Sequence, residues 1–166
     1  MESMTLLVDG YQRVREIVHD VVRGLGPDDL AWRPGPQANP IGWLVWHLAR
    51  VQDHHVADLA GRSQEWEGWA ERFTLPFDRS ATGYGQPPDE TALFRAPADL
   101  LAGYHDAVHD ATVRYLDSVT AEALDRVVDD RWDPPVTLGV RLVSVLADDL
   151  QHGGQAAYVR GLLPGR

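Results

Sequence analysis

The chain has 166 residues, carries a formal net charge of −10 and contains no cysteine. That length fits one domain over residues 1–166 with a substantial core. The missing thiols exclude disulfides, thiolate ligands and a cysteine nucleophile. The acidic balance, with a pI near 5.0, argues against nucleic acid or an anionic membrane as partner. No apolar run approaches the roughly 20 residues that span a bilayer, and no charged-then-apolar signal opens the chain, so a cytoplasmic location is expected. All fifteen basic residues are Arg, as a GC-rich coding sequence would produce.

From about Met4 to Leu25, apolar residues at Leu7, Tyr11, Val14, Val18, Val21 and Leu25 alternate steps of four and three, which predicts an amphipathic helix with one core stripe. Gly24, Gly26 and Pro27 stop it, and Pro34, Pro36 and Asn39-Pro40 punctuate the connection. Trp32, the large apolar residue of that connection, is expected to plug the bundle end. A second helix runs from about Pro40 to Ala60, with Asn39 as N-cap and Pro40 as first helical residue. Its apolar residues fall on more than one side, and His47 lies among them, one turn after Trp43. His54 and His55 come two turns later beside Asp53, where the helix turns polar and is expected to meet solvent or a pocket rim.

Between Gly61 and about Ala96 the pattern weakens. Ser63 to Arg72 suggests a short helix carrying Trp66 and Trp69, whereas Thr82 to Pro88 reads as irregular. So long a connection in a small domain is more often functional than incidental, and a lid, a substrate wall and a dimer contact all fit it. A third helix spans about Pro97 to Val119, its His105 and His109 expected on a solvated face. A turn carrying Trp132 leads to Thr137, the expected N-cap of a last helix from about Leu138 to Leu162. Four long helices without a strand pattern make the fold class all-α, a four-helix bundle with a long connection between its second and third helices.

On the last helix Asp148, His152 and Gln155 align with Val145 and Val159 on one stripe, which is expected to point inward. Carboxylate and imidazole one turn apart on an apolar stripe need a partner, because unpaired burial costs several kcal/mol. A metal completed by His47 would satisfy them, and so would a purely structural Asp–His hydrogen bond. Imidazole with carboxylate suits Zn, Ni, Fe or Mn, and three protein ligands leave positions open for water or substrate. Asp149 is the competing carboxylate. Gly153-Gly154 in mid-helix is costly, and points to close approach by another backbone or a ligand.

Two stretches carry a resemblance: Asn39-Pro40-Ile41-Gly42-Trp43-Leu44-Val45-Trp46-His47-Leu48 with Arg50-Val51-Gln52-Asp53, and Asp148-x-x-x-His152-Gly153-Gly154-Gln155-x-x-Tyr158-x-Arg160. They resemble the DinB superfamily. The resemblance implies a bundle with a metal triad of one His on the second helix and a His-x-x-x-His pair on the last. These map onto His47, Asp148 and His152, with Asp148 departing from the usual His; a mycothiol-dependent maleylpyruvate isomerase of the superfamily has Glu there. Within the motifs Trp43, Gln155 and Arg160 are assigned to substrate binding. Characterised relatives use the metal to help a low-molecular-weight thiol, bacillithiol or mycothiol, attack a small electrophile, and an actinobacterial origin, which the Arg-only composition permits, would favour mycothiol. The resemblance thus implies a metal-dependent thiol S-transferase or isomerase, with His47, Asp148 and His152 catalytic; a homodimer is expected because bundles with exposed apolar helix faces often pair. Hydrolysis by metal-bound water with His54 or Asp53 as proton acceptor, and a non-enzymatic metal-binding or stress-related protein, are the alternatives.

Overall fold

The computed structural model describes residues 3–165. The first helix, α1, spans Ser3–Val22 and ends before Gly24, whose φ of +69° breaks the helical path. Leu7, Tyr11, Val14, Val18 and Val21 form its buried stripe, as the periodicity requires. The short helix α2, Pro27–Ala31, occupies part of the connection, opened by Pro27 and by the Gly26 N–H donating to Asp29 Oδ2 at 3.3 Å. Trp32 follows it, partly buried against the main core.

The second long helix, α3, spans Ile41–Ala60 and is buried on most of its circumference. Pro40, not Asn39, is its N-cap, and no side chain caps it. The fixed φ of Pro40 sets the chain direction there, so Asn39 is left outside the helix. The connection from 61 to 96 contains α4, Trp66–Phe73, and α5, Pro88–Thr91, with irregular chain between them. The third long helix, α6, is Ala98–Asp117, and the last, α7, is Leu138–Gly161. Thr137 caps α7 as expected, its side chain accepting the Val140 N–H at 3.4 Å.

These four long helices are an all-α bundle in which α3 packs against α6 and α7, and α1 packs against the same two from the other side. Its core is nearly continuous from the Trp46, Phe94 and Tyr104 end to the Leu7, Leu138 and Leu142 end. Two features depart from the sequence reading. Before α7, a 3-10 turn at Ala121–Asp125 precedes an antiparallel pair, β1 Val127–Asp129 and β2 Val136–Thr137, where no strand is expected. Strands of three and two residues are too short to show an alternating pattern. His105 and His109 are also buried, at 0 and 4 % exposure, rather than solvated. They lie on the face of α6 that α1 covers, near Arg15 and His19, and their spacing in sequence does not reveal which helix lies above them.

The long connection is fastened to α3 by a buried polar cluster. Asp53 accepts the backbone N–H groups of Glu65 and Trp66 at 3.0 and 2.8 Å and the Tyr104 hydroxyl at 2.9 Å. Arg50, one turn earlier, donates to the Ala81 carbonyl at 3.1 Å and to Gln64 Oε1 at 2.7 Å, and its guanidinium lies over the Trp66 ring. Both side chains are almost wholly buried, so every one of these bonds matters for anchoring the segment. The anchoring presses residues 82–84 against the middle of α3. Among the described residues no helix is long and apolar enough to cross a membrane.

Candidate metal centre

His47, Asp148 and His152 come together where α3 and α7 pack, each offering a ligand atom within 4.8 Å of the others. The i, i+4 pair on α7 places two donors on one helix face, and the seam supplies the third. His47 is 5 % exposed, while Asp148 and His152 are half-buried.

The tautomers of both rings follow from their outer partners. His47 Nδ1 donates to the Thr82 carbonyl at 2.6 Å, and a carbonyl only accepts, so Nδ1 carries the proton and Nε2 the free lone pair. His152 Nδ1 faces Gln155 Oε1 at 2.9 Å and donates likewise. Orientation of a ligating imidazole through its second nitrogen is the usual support of a metal site. Trp43 stacks on His47 with ring centroids 4.7 Å apart and planes at 11°, and its own indole N–H donates to Gln86 Oε1 at 2.8 Å. The His47 and His152 rings meet edge to face, 4.7 Å apart. Gly83 makes the Thr82 contact possible: at φ +92°, a Cβ there would stand 2.6 Å from His47 Nδ1 and 2.9 Å from the Trp43 ring.

Asp148 Oδ1 lies 3.6 Å from His152 Nε2, an ion-pair distance longer than a hydrogen bond. Its other oxygen, Oδ2, is buried with no hydrogen-bond partner among the described residues. A buried carboxylate oxygen without a donor is costly, and a cation between the two imidazole Nε2 atoms and this carboxylate would relieve that cost. The donor set therefore fits a divalent ion of the Zn, Ni or Fe kind. Burial pushes Asp148 up, yet His152, His47 and His55 outweigh it and hold the carboxyl below its ordinary value. Burial lowers His47, with the Thr82 carbonyl opposing, whereas Asp148 raises His152 against its own burial.

Asp149, the rival carboxylate, turns into the core and is fully buried. Burial, then Asp148, push its carboxyl well above the ordinary range. The core stripe of α7 therefore runs through Leu142, Val145, Asp149, Gly153, Ala156 and Val159. The stripe read from the sequence is rotated by one residue: Asp148 and His152 flank the core, and Gln155 is exposed. Gly153 is where α1 comes close, since a Cβ there would meet Ile17 Cγ2 at 2.9 Å, whereas Gly154 faces open space.

His47 and Asp148 open onto a cavity of about 680 Å³. His54 and His55 line it two turns along α3, Thr82 and Tyr84 contribute from the long connection, and Trp132 comes from the turn between β1 and β2. Trp43, Gln155 and Arg160 do not line this cavity: Trp43 backs His47, Gln155 orients His152, and Arg160 donates to the Val21 carbonyl at 2.8 Å near the end of α1. Asp53, held by three hydrogen-bond donors and by the guanidinium groups of Arg50 and Arg62, does not line the cavity and is no proton acceptor for it.

The structure adds residues that the sequence reading lacked. Arg141 lines the cavity and donates through Nη2 to Asp129 Oδ2 at 3.0 Å and through Nη1 to His55 Nδ1 at 3.2 Å. Arg131 holds the same Asp129 with two side-chain bonds of 2.9 and 2.8 Å, keeping that carboxyl well below its usual range. Burial first, then Arg141, lower His55. A signal for Arg141 did exist, since it falls four residues before Val145 on the stripe of Asp148 and His152. The Thr82 carbonyl has none, being a backbone atom of an irregular segment.

A family model for mycothiol S-transferases matches residues 6–165. The chain belongs to the mycothiol S-transferase family. The DinB resemblance is borne out with it. A crystal structure titled as the conserved protein of a locus from Enterococcus faecalis is similar to this family member at a TM-score of 0.92 and 32% identity, covering 100% of this chain and 99% of that one. A search among curated proteins produced no match.

Proposed function

We propose that this protein is a metal-dependent S-transferase or isomerase that joins a low-molecular-weight thiol, mycothiol for preference, to a small electrophile. The observation that carries the reading is the convergence, within 4.8 Å, of two imidazoles whose Nδ1 atoms are already engaged and the Asp148 carboxylate, one oxygen of which is buried without a partner among the described residues. His47, Asp148 and His152 would hold a divalent cation of the Zn, Ni or Fe kind. Such an ion, when bound, lowers the pKa of a thiol and stabilises the thiolate as nucleophile.

The chain supplies the rest. Thr82 and Gln155 hold the two rings in register, and the aromatic face of Trp43 keeps water from the back of His47. The cavity beside the triad is large enough for a thiol and a second small molecule together, a volume within the range of small-ligand sites. With no cysteine in the chain, the nucleophilic sulfur must arrive with the cosubstrate. Membership of the family supports mycothiol as that cosubstrate.

Elemental analysis of protein purified without an affinity tag, as wild type and as His152→Ala, tests the reading. Near-stoichiometric metal lost in the variant is expected, followed by mycothiol-dependent consumption of small electrophiles by the wild type alone. A wild-type protein that takes up no divalent ion even after reconstitution would overturn it.

A further inference from the structure

The cavity that receives His47 and Asp148 carries a second group of polar residues that the metal centre does not use. Asp129 on β1 accepts from two guanidinium groups, Arg131 beside it and Arg141 in the first turn of α7. Two guanidinium groups share this one carboxylate, with Asp130 acting on Arg131 and Asp58 and Asp148 acting on His55 nearby. Asp148, 3.6 Å from His152 Nε2, belongs to the proposed metal centre. Asp58 is absent from the cavity lining but borders an adjoining crevice of about 60 Å³ that shares His55, Asp129, Arg131 and Arg141 with it.

What this cluster offers a ligand is free donors. A guanidinium carries five N–H groups, and the two bonds that Arg141 makes, to Asp129 and His55, leave others free for a ligand. Because Arg141 donates to His55 Nδ1, that ring is neutral with its proton on Nε2, and so offers the cavity a neutral donor rather than a base. The N-terminal end of the 24-residue α7 adds its positive dipole end to the same region. Around these donors the wall is apolar and open: Trp132 is 65% exposed and Val140 53% exposed, with Val136 between them in the lining. Exposed aromatic and aliphatic surface next to converging donors is the composition of a small-ligand site.

We propose that Arg141, Arg131 and the Nε2–H of His55 form a binding station for a small organic anion, a carboxylate whose apolar body rests on Trp132 and Val140. Arg141 supplies the charge-assisted hydrogen bonds, Asp129 holds both guanidinium groups in place, and His55 donates to the same anion. The station lies in the cavity of the proposed metal centre, so it selects anionic electrophiles as the second substrate. That last assignment rests on the thiol-transfer reading; the anion binding itself does not.

Benzoate and its neutral counterpart benzamide separate charge from shape. Their affinities are measured by calorimetry for wild type, for His152→Ala, and for Arg141→Gln and Arg131→Gln in the His152→Ala background. The His152→Ala protein removes a metal–carboxylate bond as the source of any preference. Benzoate is expected to bind at least about tenfold more tightly than benzamide in wild type and in His152→Ala. The ratio should fall to near one with Arg141→Gln and to an intermediate value with Arg131→Gln, whose exposed side chain makes misfolding no concern. Equal binding of the two probes, a preference that disappears in His152→Ala, or one that survives Arg141→Gln would each overturn the station. Long-range ¹H–¹⁵N spectra of the wild type give a second check: His55 should be the Nε2–H tautomer, and an Nδ1–H ring would refute the donor arrangement. A wild type without metal that still prefers benzoate would sink the thiol-transfer reading and leave the station standing.

Discussion

Thr82 accepts the Nδ1–H of His47 at 2.6 Å, and this one bond ties an irregular segment of the long connection to the proposed metal ligand. It exists because Gly83 has no side chain and adopts φ +92°. Gly83→Ala would drive a methyl into His47 and Trp43 and move the segment away. The expected result is a loss of metal affinity of about 10- to 100-fold, the usual cost of removing an outer-shell partner, with helical content by circular dichroism unchanged. Wild-type affinity in the variant would show that the Thr82 contact does not support the ligand.

The anchor beneath that segment is testable through stability. Asp53→Ala leaves Arg50 buried near no carboxylate and strips two backbone N–H groups at the start of α4 of their acceptor. Breaking a buried pair in this way costs about 3–5 kcal/mol, read from urea denaturation. A loss below about 1 kcal/mol would place the anchoring elsewhere.

Adjacent glycines on α7 should respond with opposite signs. Gly154→Ala meets nothing within 4 Å and gains helix propensity, for a stabilisation approaching 1 kcal/mol. Gly153→Ala puts a methyl 2.9 Å from Ile17 Cγ2, on a β-branched side chain that is stiff within α1, so overpacking of about 1–3 kcal/mol exceeds the same gain. Thermal melts of the two variants decide it, and two shifts of the same sign would contradict the packing described.

The buried His105 makes stability fall in acid. Burial, then His109, push its pKa down to about 3, with Arg15 and His19 of α1 adding to the effect and Asp106 opposing it. The unfolded chain, with a value near 6.5, therefore binds the proton first. Stability from this group is full above about pH 6.5 and is lost as pH falls toward 3, at about 1.4 kcal/mol per pH unit. His105→Leu should remove that share of the slope between these limits; an unchanged slope would mean that other groups dominate.

The helices and the triad were legible for the same reason. Repeats of three and four residues report which side of a helix is covered, so α1, α3, α6 and α7 stand within a few residues of their sequence positions, and Asp148 and His152 pair by spacing alone. Spacing could not tell whether Asp148 or Asp149 occupies the core, because the two directions differ by one residue and both carry a carboxylate. It also could not show that α1 covers His105, since a helix carries no mark of its neighbour.

What the sequence determined by itself was local and periodic: an all-α bundle, a Thr137 cap, a candidate ligand pair one turn apart on α7 and the absence of any intrinsic thiol. Only the tertiary structure decided the tautomers of His47 and His152, the withdrawal of Asp53 and Asp149 from the site, and the meeting of Arg141 with His55 and Asp129 across the cavity wall. Apart from the His152–Gln155 bond, which spans three residues of α7 and depends on side-chain orientation, each of these rests on contacts between separate segments, and such contacts leave no period to read.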